Sequence, residues 1–150
     1  MKKLMLTGFA FMSLMTAKAQ WTYQKIDNGF DVPYKIAYTE TDNDGYLKLE
    51  RAEEKVVFYI SGTYYCDDNP KVDVVFVVNG VNKKYTFVST KAENSKSIFF
   101  TFDFLSESSV EDFKNAQSVK VRVNESYCTS EQYTFSMGQS RTALEFISKP

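Results

Sequence analysis

The sequence predicts a mainly β protein: an antiparallel β-sandwich of about nine strands with one or two short helices. Three observations carry that prediction. Apolar residues recur with period two along most of the chain, turn-forming residues punctuate the alternation, and the resulting short runs follow one another at roughly ten-residue spacing. Successive side chains of a strand point to opposite faces, so half-buried strands alternate in this way and helices of any length do not. Two packed sheets accommodate many short strands that each carry one apolar face. A closed barrel is the competing architecture.

Residues 1–19 read as a secretory signal. Lys2 and Lys3 form its basic end, Leu4 to Thr16 its apolar run and Ala17-Lys18-Ala19 a small-x-small cleavage site, after which Gln20 begins the mature chain. The run is interrupted by Thr7, Gly8 and Ser13 and is shorter than the ~20 apolar residues that span a bilayer. The mature chain is therefore expected to have no membrane span and to be secreted or periplasmic. No cysteine stands near the cleavage site, so acylation of a first mature cysteine has no target. Residues 20–150 are expected to form one β-sandwich domain.

Strands are expected at 21–26, 32–39, 46–51, 55–64, 71–78, 84–90, 97–104, 118–125 and 131–136. The clearest alternations are Val56, Phe58 and Ile60; Val72, Val74, Phe76 and Val78; Ile98, Phe100, Phe102 and Phe104; and Val119, Val121 and Val123. Between them lie Asp27-Asn28-Gly29, Asp44-Gly45, Asp67-Asp68-Asn69-Pro70 and Asn79-Gly80. Asn-Gly and Asp-Gly supply the positive φ that tight hairpins demand. Ser108-Ser109-Val110-Glu111 has the form of a capping box opening a helix over 109–116, with Val110, Phe113 and Ala116 toward the sheet. Ser140 is placed to cap a second helix over 141–147, with Ala143, Leu144 and Ile147 on one side, although Phe146-Ile147 also suits a strand.

Composition excludes several kinds of chemistry. The chain has no histidine, which removes catalytic triads, histidine-ligated zinc and imidazole relays. Without the signal, 15 basic residues face 19 acidic ones, a net charge of −4. Such a chain, with Lys83-Lys84 as its one local basic pair, lacks the clustered basic face that nucleic acids require. Serines stand outside any Gly-x-Ser-x-Gly elbow, and Asp103, between Phe102 and Phe104, falls on the opposite sheet face from both. Glu40-Thr41-Asp42-Asn43-Asp44-Gly45 imitates half of an EF-hand loop but places Arg51 where a bidentate glutamate belongs. Neither it nor Asp67-Asp68-Asn69 needs a metal. The reading is of a protein with no cofactor, no metal and no catalytic residue.

The two cysteines, Cys66 and Cys128, lie in the exported part, where thiols are usually oxidised, and a disulfide is expected between them. Closing a loop of about 62 residues would add on the order of 4 kcal/mol by restricting the unfolded chain. The contexts of the two are alike. Tyr64-Tyr65-Cys66-Asp67-Asp68 and Ser126-Tyr127-Cys128-Thr129-Ser130 each put tyrosine before the cysteine and polar residues after it. Tyrosine combines contact area with a polar tip and loses little rotamer entropy on binding. Tyr64, Tyr65, Asp67, Asp68, Tyr127 and Thr129 are accordingly the expected binding residues, although tyrosines also serve simply as strand residues covering a sheet edge.

The order of elements resembles a known group. Trp21, the strand Tyr46-Leu47-Lys48-Leu49-Glu50, the strand Val56 to Gly62, the Val-Asp-Val-Val-Phe strand with its Asn79-Gly80 turn, the Phe-rich run Ile98 to Leu105 before a short helix, then Val119 to Val123, Tyr133 to Phe135 and Gly138, are similar to the exported VasI or TagO accessory proteins of type VI secretion and to invasion-associated locus B proteins. Those relatives carry a cysteine where this chain has Leu49-Glu50-Arg51 and another near the end of the final helix, unlike Cys66 and Cys128. The resemblance implies a sandwich acting as a binding or accessory protein of the bacterial envelope. It carries no catalytic residue across. The expected function is non-catalytic recognition of a protein or glycan of the cell envelope. The alternative is a structural subunit of a surface appendage or virion joined through sheet edges, its outward Val75 and Val77 covered by a neighbour.

Overall fold

In a computed structural model, the described residues are 21–27, 29, 32–41, 45–52, 55–62, 64–103 and 108–149. The expected signal, Asn28, Asp42 to Asp44 and Phe104-Leu105 lie outside them, as do the side chains of Phe102 and Asp103. In chain order the elements are β1 (Thr22–Ile26), β2 (Tyr34–Glu40), β3 (Tyr46–Ala52), β4 (Lys55–Ser61), β5 (Lys71–Val78), β6 (Val81–Val88), β7 (Thr90–Lys91), β8 (Ser97–Asp103), α1 (Ser108–Asn115), β9 (Ser118–Asn124), β10 (Glu131–Ser136) and α2 (Ser140–Ser148).

The strands form two antiparallel sheets, one ordered β1-β2-β3-β4-β8-β7 and one ordered β10-β9-β5-β6. The fold is the expected sandwich rather than a barrel. Period two explains which residues meet between the layers: Leu47, Leu49, Val56, Phe58, Ile60, Ile98 and Phe100 from the larger sheet, and Val72, Val74, Phe76, Val119, Val121, Val123 and Phe135 from the smaller, are all buried. Phe58 lies directly across from Phe100 in the ladder, and their rings stack with centroids 5.5 Å apart. A fully buried side chain of this size contributes on the order of 2 kcal/mol.

The two ends of the sandwich are closed differently. At one end α1 inserts Phe113 edge-on against Phe58, Phe76 and Trp21 at centroid distances of 5.2, 5.9 and 6.3 Å. Helix α2 packs across β2 and β3 and buries Ala143, Leu144 and Ile147 as its spacing requires. Ser140 does not cap its own helix. The residue before it, Gln139, takes left-handed backbone (φ 69°), and the Ser140 hydroxyl donates instead to the carbonyls of Phe113 (2.9 Å) and Lys114 (3.3 Å). The start of α2 thus satisfies the end of α1, where helix carbonyls lack internal partners. The expected capping-box groups have other partners: the Glu111 carboxylate accepts from Lys114 at 2.9 Å, and the Ser108 hydroxyl lies 3.3 Å from that of Tyr85.

Several boundaries differ from the expected ones, each for a physical reason. Strand β4 stops at Ser61 because its neighbour β8 starts at Ser97, the last cross-strand partner. Strand β6 starts at Val81, paired with Val78, because Asn79 and Gly80 both adopt positive φ (51° and 77°) and make a two-residue hairpin. The expected strand 84–90 breaks at Ser89, whose buried hydroxyl donates to the Pro70 carbonyl, and Thr90–Lys91 joins the other sheet as β7. Val75 and Val77 point outward but form no open apolar face. Their cross-strand neighbours are Lys84 and Lys120 for Val75, and Asn82 and Ser118 for Val77, so each valine is a single half-buried apolar spot among polar side chains.

Candidate functional site

At the end opposite the helices, three connections converge: 64–70 before β5, 89–96 around β7, and 125–130 between β9 and β10. Cys66 and Cys128 are joined in a disulfide across the first and third, with Cα atoms 6.1 Å apart. The sequence-expected pairing is correct.

Side chains tie the same segments reciprocally. The Glu125 carboxylate accepts the backbone N–H groups of Cys66 (2.8 Å) and Asp67 (3.3 Å), while the Asp67 carboxylate accepts that of Ser126 (2.7 Å). Such charge-assisted bonds are roughly twice as strong as neutral ones. Lys91 donates to the Cys66 carbonyl at 3.1 Å and pairs with Asp68 at 2.8 Å. The Lys91 ammonium holds the Asp68 carboxyl below the usual carboxylate range, and the same hydrogen bond raises the lysine. Backbone bonds from Tyr65 to Ser95 and from Lys91 to Asp68, both 2.8 Å, complete the clasp.

The tyrosines divide between two roles. Tyr64 is 57% exposed and Tyr127 is 88% exposed, standing on the clasped loops with Thr129 also exposed. Tyr65 corrects the expectation. It is 0% exposed and fills the end of the core, so it has no surface to offer a partner. The chain crosses from one sheet to the other here, and an aromatic side chain must close the gap. Both members of the Tyr64-Tyr65 pair are among the expected binding residues, and only Tyr64 is at the surface.

Beneath the surface Tyr65 meets Tyr133, whose hydroxyl donates to the Glu131 carboxylate. Burial pushes both phenols well above the ordinary tyrosine value, and the nearby Glu131 charge adds to this. Two glycines make room for the group. A Cβ on Gly45 would meet the Tyr133 ring at 2.5 Å, and one on Gly62 would meet the Tyr133 hydroxyl, with Glu131 Oε2 at 2.5 Å and the Tyr65 hydroxyl at 2.9 Å. Gly45 therefore serves close approach rather than the positive φ expected of an Asp-Gly hairpin; among the described glycines, positive φ belongs to Gly29 and Gly80.

No protein-family model, curated protein or solved structure matches this chain. The chemistry of the site is thus read from its own residues. A Glu125 carboxylate oxygen and the two sulfurs lie within 4.8 Å of one another, yet with the sulfurs joined they offer no thiolate to a metal. Of the expected hard oxygens, Asp67 Oδ2 accepts from Ser126 and Asp68 pairs with Lys91, while Asp67 Oδ1 and Glu125 Oε2 are buried without a hydrogen-bond partner among the described residues. Glu125 and Lys91 were missed by sequence reasoning. Glu125 stands three residues before Cys128, a signal of proximity to the bridge, whereas Lys91 reaches the site only through the register of β7 on β8.

Proposed function

We propose that the chain is an exported, non-catalytic binding protein of the bacterial cell envelope, and that its partner, a protein or glycan, contacts the disulfide end through Tyr64 and Tyr127. One observation carries the reading: two exposed tyrosines stand on loops immobilised by a disulfide and by reciprocal carboxylate-to-amide bonds. Aromatic anchors held rigid before contact lose little entropy on binding, which is how small interfaces reach useful affinity. One oxygen each of Glu125 and Asp67 accepts backbone amides, Asp68 pairs with Lys91, and the chain has no histidine, which supports recognition rather than proton transfer.

Export has separate support. A disulfide is compatible with an oxidising compartment, and among the described residues no helix is long and apolar enough to cross a membrane. The pattern-level resemblance to envelope accessory proteins points the same way.

The test is comparative capture from envelope extract with the native chain and the Tyr64→Ala/Tyr127→Ala variant. A component retained by the first and lost by the second, at an unchanged thermal midpoint, is the expected result. Equal retention by both removes the tyrosine end from the interface.

A further inference from the structure

The outer face of the smaller sheet carries a feature that the tyrosine end does not explain. Along β9 and β10 the residues that alternate outward are Lys120, Arg122, Gln132 and Thr134, and register sets them in rows with β5 and β6: Thr134, Lys120, Val75 and Lys84 in one, Gln132, Arg122, Asp73 and Thr86 in the next. Thr41, just past β2, lines with them an open cleft of about 400 Å³. Small-molecule sites occupy roughly 300–1,000 Å³.

Charge in the cleft runs against that of the protein. Lys84, Lys120 and Arg122 stand against a single described acid, Asp73, on a chain whose net charge is −1. Asp73 is already satisfied. Its carboxylate accepts from the Thr86 hydroxyl at 2.7 Å and Asn124 at 3.3 Å and pairs with Lys84 at 3.4 Å, and these donors, Thr86 foremost, hold it below the usual carboxylate range. Among the described residues, neither Lys120 nor Arg122 has an ion-pair partner. Two cations two residues apart on one strand face lie close enough to share one anion.

The position selects the ligand. Lys120 and Arg122 lie on β9, which is hydrogen-bonded on both sides, and the free edge nearest them belongs to β10, so a peptide strand added there would pair with β10 and lie one strand away from the two cations. Side chains alone must do the recognising. A guanidinium and an ammonium for a carboxylate, an amide and hydroxyls for alcohols, and the small apolar floor of Val75 for a ring C–H face together match a sugar acid. We propose that this cleft binds an acidic glycan, with Arg122 and Lys120 taking a uronate carboxylate and Gln132 and Thr134 its hydroxyls above Val75. The proposal does not rest on the tyrosine contact, and either can fail alone.

Titration of the disulfide-bonded chain with tetrasaccharides of galacturonate, glucuronate and mannuronate, followed by amide chemical shifts and calorimetry, tests it. At least one should bind, move the amides of 73–75, 120–122 and 132–134, and weaken as salt rises. Arg122→Gln and Lys120→Gln should each cost about tenfold in affinity, whereas Lys83→Gln, on an exposed lysine outside the cleft, and Tyr64→Ala/Tyr127→Ala should cost nothing. The methyl ester of the binding tetrasaccharide should not bind, an arm that uses the unmutated chain and so needs no variant to fold. Equal binding of the ester, equal loss in Lys83→Gln, tighter binding of tetraglutamate, shifts confined to other residues, or no binding of any of the three at millimolar concentration would each overturn the proposal.

Discussion

Gly62 and Gly45 both lie against Tyr133 but touch different parts of it, and that difference can be measured. An added methyl at Gly62 meets the phenol oxygen, while one at Gly45 meets ring carbons at 2.5 and 2.6 Å. Overpacking of a filled site costs about 1–3 kcal/mol. Urea unfolding should therefore show both Gly45→Ala and Gly62→Ala to be destabilised, with Tyr133→Phe relieving part of the cost at Gly62 and none of it at Gly45. Equal relief at both positions would mean that the hydroxyl, rather than the ring, also sets the cost at Gly45, and no relief at Gly62 would mean that the phenol oxygen does not make that site intolerant. The sequence shows Gly45 in a turn signal and Gly62 inside an expected strand, but not the aromatic ring that lies against both. Tyr64 and Tyr65 make a related point. Period two states that adjacent residues face opposite ways, but only the path of the chain around the end of the sandwich decides which of them faces in.

Among the elements, the joint between the helices is the one least visible in advance. Each helix was foreseeable from its apolar spacing, and Val110, Phe113, Ala143, Leu144 and Ile147 are buried as that spacing requires. Ser140 looked like an ordinary cap, yet its hydroxyl serves the last carbonyls of the other helix. Ser140→Ala leaves those buried acceptors short of a donor, at a cost of about 1–2 kcal/mol. Faster amide exchange should then spread to residues 108–115 as well as to the start of α2; exchange confined to α2 would show that the serine acts only within its own helix. The edge strand β6 shows how element and surface combine. Val81 and Val88 are 54% and 68% exposed there, and Lys83 and Lys84 between them discourage pairing with another chain.

For the molecule as a whole, the disulfide holds together the end that the helices do not close. Replacing both Cys66 and Cys128 by serine removes up to about 4 kcal/mol in the chain-entropy view. The Glu125 and Asp67 clasp remains, so the sandwich should still form while the loops bearing Tyr64 and Tyr127 loosen. Partner capture should fall even at temperatures where circular dichroism reports an intact β fold. Capture that survives reduction at full strength would show that the carboxylate clasp alone orders the tyrosines.

The sequence by itself determined the class of fold, nearly all of its strands, the pairing of its two cysteines and the absence of any imidazole. These follow from local period, turn residues and counting, which need no knowledge of what packs where. Only the tertiary structure decided which tyrosine is surface and which is core, why Gly45 and Gly62 are glycines, and how Lys120 and Arg122 come to share a cleft with Thr41. Each of those depends on contact between residues far apart in the chain, and such contacts leave no mark in the local pattern of either partner.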